Sequence, residues 1–100
     1  MAERSADLHP EAQRDLEDGL AFYSIRSLIA AERFLSEVEA ALDLIAEAPE
    51  RWPLHRAGTR RYVMSAFPYS IVYRVAPHAL QVFAVAHAKR RPHYWSRRRF

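Results

Sequence analysis

The sequence predicts an α+β fold, an antiparallel helical hairpin packed on a small antiparallel β-sheet of three to four strands. Three observations carry that prediction. Apolar residues recur at helical spacing through the first half of the chain, interrupted around residues 24–27. The second half instead falls into three short β-rich runs, and the connections between them are too short for crossovers. Helices followed by strands, without alternation of the two, point to two layers around one core. A length of 100 residues bounds the chain to a single domain, 1–100. A domain this size buries only about 65% of the surface its unfolded chain exposes, so its stability is marginal.

Taken in order, residues 3–8 are short enough to be a first strand. His9-Pro10-Glu11 reads as a helix start, with proline at the first helical position and an acid in the first turn. Ala12, Leu16, Leu20 and Tyr23 then share one face of an amphipathic helix. A second helix starts near Leu28 and turns Ala31, Phe34, Leu35, Val38, Ala41, Leu42 and Ile45 toward a core. Its opposite face carries Glu39, Asp43 and Glu47, and Pro49 ends it. Residues 50–58 form a loop punctuated by Pro53 and Gly58. The β-rich runs 60–67, 70–75 and 80–87 follow as a meander, with Phe67 and Tyr73 in the core.

Alternation in the last two runs assigns Ile71, Tyr73 and Val75, with Leu80, Val82 and Ala84, to the face that packs on the helices. With Pro77-His78 at the hairpin tip, Arg74 lies opposite Gln81 and Val72 opposite Phe83. The second face then carries Val72, Phe83 and Val85 beside Arg74, Gln81 and His87. That mixture is too apolar for water and too polar for a sealed core. A docked partner segment would account for it, and so would cover by the chain's own C-terminus.

Charge is distributed unevenly. All twelve acidic residues lie in positions 1–50, where only Arg4, Arg14, Arg26 and Arg33 offset them, for a net −8. The second half has eleven basic residues and no acid, a net +11. Such a split fits a basic surface made for an anionic partner, or two halves that neutralise each other across their interface. The absence of cysteine removes disulfides, thiolate nucleophiles and thiolate metal sites. No apolar run approaches the roughly 18 to 20 residues of a membrane span. The N-terminus has no basic stretch leading into an apolar one, so the expectation is a cytoplasmic protein.

The densest chemistry lies in residues 87–100, which combine six cationic residues with Tyr94 and Trp95. Guanidinium groups fork onto phosphates or carboxylates, and aromatic rings stack on bases or accept cations. Arg90, Arg91, Tyr94 and Trp95 are therefore candidates for target binding, while 97–100 reads as a flexible, solvated tail. His87 ends an otherwise apolar strand. It is either a general base for phosphodiester cleavage, with Arg90 or Arg91 stabilising charge, or a hydrogen-bonded structural histidine. His87 and His93 lack the acids and thiols a metal site needs nearby, so no metal and no cofactor is expected. Gly19 and Gly58 are too few for a phosphate-cradling loop. A plain RNA-binding module is a further class, disfavoured because no aromatic platform sits at alternate strand positions.

Two segments make the pattern specific: Ala66-Phe67-Pro68-Tyr69-Ser70-Ile71-Val72-Tyr73-Arg74, and the run from Val82 through His87, Lys89, Arg90, Arg91 and Pro92 to Tyr94-Trp95. Together with the His9-Pro10-Glu11-Ala12 helix start and Pro49-Glu50-Arg51-Trp52-Pro53, they resemble ParE-like toxins of the ParE/RelE superfamily, the plasmid-stabilisation type. The resemblance covers about residues 6–98. It implies a helical hairpin on an antiparallel sheet, and a ParD-like antitoxin that binds the toxin in a hetero-oligomer and neutralises it. The mixed face, Val72, Arg74, Gln81, Phe83 and Val85, is the expected antitoxin contact. The resemblance also implies one of two targets. ParE-type members poison DNA gyrase without chemistry of their own, and RelE-type members cut messenger RNA in the ribosomal A site. The ribonuclease set here would be Arg61, His87, Arg90 and Tyr94, without the mid-sheet acid some members add. The Tyr-Trp ending resembles the ParE branch, which makes gyrase the expected target.

Overall fold

The computed structural model describes residues 5–100. Strand β1 (Ser5–Leu8) leads into α1 (Pro10–Arg26) and α2 (Leu28–Glu47). Two short 3₁₀ turns, Pro49–Arg51 and Arg56–Gly58, precede β2 (Arg60–Val63), β3 (Tyr69–Val75) and β4 (Ala79–His87). The fold is α+β, two helices on a four-stranded sheet of order β1-β4-β3-β2. β2, β3 and β4 are antiparallel neighbours, but β1 runs parallel to β4, so the sheet is mixed. The parallel pairing is possible because β1 and β4 are joined through both helices, with no tight hairpin imposing an antiparallel register. Of the expected first strand, positions 3 and 4 lie outside the described residues.

His9 caps α1, its Nδ1 accepting from the Glu11 N–H at 3.0 Å. The expected interruption at 24–27 shrinks to one residue. Ser27 is extended, closes α1 by donating its N–H to the Tyr23 carbonyl, and opens α2 by accepting from the Ala30 N–H with its hydroxyl. A single such residue reverses the chain into an antiparallel hairpin. Ala31, Phe34, Val38, Ala41 and Ile45 are buried at steps of three and four, as the periodicity predicts. Gly19 lets α1 close on this face, since a Cβ there would lie 2.8 Å from the Phe34 ring. No helix among the described residues is long and apolar enough to cross a membrane.

β2 is shorter than its β-rich run. Residues beyond Val63 turn back, with the Met64 N–H donating to the Tyr69 carbonyl, and Glu37 of α2 accepts from the Ser65 and Ala66 N–H groups. Tyr73 is fully buried and donates its hydroxyl to the Pro49 carbonyl. Phe67 is partly buried, its ring 5.0 Å from Tyr23 and 5.4 Å from Phe34.

The β3–β4 register departs from simple alternation. Arg74 pairs with Gln81 and Tyr73 with Val82 as expected, but Val72 pairs with Ala84 rather than Phe83, leaving Phe83 as an extra residue in a bulge. The bulge inverts the facing of everything after it. Val85, expected on the second face, joins the core beneath the helices, and Ala84, expected in that core, joins Val72 and Phe83 behind the sheet. That second face is covered by the chain's own C-terminal segment. Trp95, only 4% exposed, packs with Val72, Phe83 and Ala84, and the Phe100 ring meets Phe83 at 5.0 Å.

Candidate functional site

β4 delivers His87 to the sheet's end, and the chain there folds into successive tight turns. The Arg90 N–H donates to the His87 carbonyl, Tyr94 to Arg91, and Ser96 to His93. His93 takes a left-handed conformation, φ 61°. Histidine visits that region more readily than bulkier residues, and such backbone outliers gather at ligand sites. From the other side, the loop before β2 is folded back by a left-handed Ala57-Gly58 pair and by the His55 N–H donating to the Thr59 carbonyl at 2.6 Å. Glycine meets the φ of 72° at position 58 without penalty.

Between these two segments lies a pocket of about 340 Å³, whose walls include Arg61, His87, Arg90, Arg91, Tyr94 and Trp95, together with His55 and His93. The structure thus brings together all six residues singled out from the sequence as target-binding or ribonucleolytic. Among the described residues, no acid lines the pocket.

Their individual settings differ. Arg61 projects from the exposed part of β2, opposite Val72. Arg91 is exposed. Arg90 is half exposed, its guanidinium carbon 3.8 Å from the Tyr94 ring centroid and one nitrogen 3.9 Å from Asp15. The Lys89 N–H donates to His87 Nδ1 at 3.0 Å, so a neutral His87 carries its proton on Nε2. Burial, followed by the Asp15 charge and the hydrogen bond to Asp15, pushes the Tyr94 hydroxyl well above the ordinary phenol range. The His55 imidazole is held below its usual value by desolvation, then by the charges of Arg61, His93 and Arg56.

Trp95, largely buried, also anchors the C-terminal segment, because the apolar second face needs a cover and the indole supplies it. Within the segment 97–100, Arg98 donates to Asp15 Oδ2 at 2.7 Å and to the Phe83 carbonyl at 2.8 Å, and the Phe100 ring meets Phe83 edge-on. The same cover resolves the open choice for the second face. Val72 and Phe83 are buried by the chain itself, and Val85 faces the helices, so none of the three is an exposed apolar contact. Arg74 and Gln81 are half-buried and bond to each other at 2.8 Å, with the Arg74 guanidinium over the Phe83 ring.

Sequence reasoning missed Asp15, His55 and His93. Asp15 is the buried hub of the C-terminal segment, accepting from the Val85 N–H, the Tyr94 hydroxyl and Arg98. Its signal was present: it sits three residues after Ala12 and beside Leu16, on the apolar face of α1, where a lone acid demands partners. Nothing in the local sequence of His55 marks it, since only the folded loop brings it to the pocket. Among the described residues, no three metal-ligating side chains converge.

The family model described as the ParE toxin of the type II toxin-antitoxin system parDE matches residues 6–92, most of the chain. Among solved structures, the chain is similar to one from the chromosomal ParDE toxin-antitoxin system of P. aeruginosa. The TM-score is 0.75 at 15% identity, over 87% of this chain and 98% of that one, which is a likeness of fold. No curated protein matches. The extent of the family match settles the membership: this chain belongs to the ParE toxin family of type II toxin-antitoxin systems.

Proposed function

We propose that the chain is a cytoplasmic toxin that acts by binding DNA gyrase, and that a ParD-like antitoxin neutralises it by covering the cationic face. The observation that carries this reading is the state of the groups a nuclease would need. The His87 Nδ1 lone pair accepts from Lys89, and the Tyr94 hydroxyl is committed to Asp15 with its pKa raised. Neither presents a free lone pair for abstracting a proton. Binding remains the natural use for the exposed guanidinium groups of Arg61 and Arg91, which have no ion pair among the described residues. With Val72 and Phe83 covered, apolar antitoxin contacts would fall on the tip of the helical hairpin, where Ile25, Leu28 and Ile29 are exposed by 83%, 72% and 63%.

A second reading, ribosome-dependent cleavage of messenger RNA, has one observation in its favour, the convergence of Arg61, His87, Arg90 and Tyr94 on a single pocket. The two separate in one experiment. Purified protein is added to gyrase supercoiling reactions and, separately, to translating ribosomes with a reporter message. Inhibited supercoiling with intact message is expected; cleaved message with unaffected gyrase would replace the first reading by the second.

A further inference from the structure

The pocket between the 87–93 turns and the loop before β2 has more positive charge than the fold needs. Arg61, Arg90 and Arg91 reach it, and each guanidinium is charged at any physiological pH. Among the described residues, Asp15 is the only acid that pairs with any of them, 3.9 Å from Arg90, and it is shared with Arg98 at 2.7 Å. Arg61 and Arg91 have no ion pair among the described residues. The His55 pKa is lowered first by desolvation, and the charges of Arg61, His93 and Arg56 act in the same direction. A concave site with uncompensated charge of one sign concentrates anions.

Size and shape narrow the anion. A volume of about 340 Å³ lies at the small end of ligand pockets, room for roughly one nucleotide and too small to enclose a duplex. The His55 and His93 rings lie 5.5 Å apart and tilted by 39°. They offer flat faces on which a base can stack and a carboxylate side chain cannot. Together the arginines and imidazoles form a backbone clamp beside a place for a base, the combination single-strand binders use.

We propose that this pocket binds single-stranded nucleic acid, with Arg61 and Arg91 on the phosphodiester backbone and the His55–His93 pair against a base. The inference rests on the reading that this face meets the target, and it names the component met there: a nucleic-acid strand, which a gyrase–DNA complex and a translating ribosome both present.

The test is anisotropy of labelled single strands, of one sequence as DNA and as RNA, titrated with the whole protein between about 50 and 200 mM salt. The expected result is binding whose affinity falls linearly with salt on logarithmic axes. Arg61→Gln and Arg91→Gln should each lower that slope by roughly 0.7, the single-strand value for one phosphate contact, with circular dichroism unchanged. Arg14→Gln, on the exposed side of α1, should leave it as it was. Preference for the DNA or the RNA strand tells which target supplies the ligand, and either supports the pocket. The proposal is overturned if single strands do not bind at low salt, or if duplex binds as tightly. It also falls if polyglutamate competes as well as the oligonucleotide, or if the slope changes only on Arg97→Gln with Arg99→Gln. Gyrase inhibition by a protein that binds no oligonucleotide would defeat this inference and leave the gyrase reading standing; the reverse pattern would do the opposite.

Discussion

Asp15 and Arg98 meet at 2.7 Å although 83 residues separate them, and both side chains are largely withdrawn from solvent. The carboxylate also takes the Tyr94 hydroxyl and the Val85 N–H, so one acid on α1 ties the C-terminal segment to the sheet. Removing one member of a buried pair leaves an uncompensated charge, which costs about 3 to 5 kcal/mol. Asp15→Ala should therefore unfold the protein at much lower urea and expose Trp95 to water. An Asp15→Ala variant with unchanged midpoint and unchanged Trp emission would contradict the hub.

Trp95 fills the second face with Val72, Phe83 and Ala84. Trp95→Ala should cost about 3 to 5 kcal/mol through lost burial and a cavity. Any loss of toxicity should then accompany loss of stability in urea. A stable but harmless Trp95→Ala would instead make the indole a target contact.

Gly19 offers a test in which helix propensity and packing oppose each other. Alanine is favoured over glycine inside a helix by about 1 kcal/mol. Here its methyl would sit 2.8 Å from the Phe34 ring and 3.1 Å from the Tyr69 hydroxyl. Overpacking of this kind costs about 1 to 3 kcal/mol, so Gly19→Ala should be net destabilising in thermal or urea unfolding.

Alkaline pH should weaken the fold. Tyr94 has the largest upward shift, and Tyr23, Tyr69 and Tyr73 are also raised from the ordinary 10.0, burial being the first cause in each. A phenol whose pKa is higher folded than unfolded contributes fully below the unfolded value. As pH rises past that value the unfolded chain ionises first, and the contribution drains away until the folded pKa is passed. Unfolding free energy should thus be flat from neutrality to about pH 9 and fall beyond about pH 10. Tyr94→Phe should start less stable and fall less steeply.

Binding without catalysis also has a signature in variants. His87→Gln retains hydrogen-bonding capacity but no base, and should remain substantially toxic. Arg90→Glu with Arg91→Glu should abolish toxicity while folded. Removing a catalytic base costs a factor of about 10² to 10⁴, so a folded, harmless His87→Gln that no longer cleaves message would establish a nuclease.

The layers, the helix faces and the Arg74–Gln81 register were legible because local periodicity determines them. The bulge at Phe83 was not, since a run as uniformly apolar as residues 82–86 gives no sign of which position is doubled. Parity was therefore lost from Ala84 onward, which misplaced Val85. The pocket was half visible: residues 87–95 are contiguous in sequence, but Arg61 and His55 arrive from other segments through tertiary folding. Composition revealed the +11 half, yet only the structure shows that one of its charges, on Arg98, is spent on holding the fold together.

The parallel pairing of β1 with β4 has a kinetic consequence. Ser5 aligns with Ala79 and Leu8 with Val82, so both helices and the first two strands of the meander lie inside the loop this ribbon closes. Closing so long a loop is entropically costly, and chains dominated by distant contacts fold slowly for their size. The helical hairpin and the β3–β4 hairpin need only nearby residues and can form early. Until β1 docks, the backbone edge of β4 is left open to pair with a strand from another molecule. A nascent chain would therefore spend its most vulnerable interval with a completed helical hairpin and an unfinished sheet.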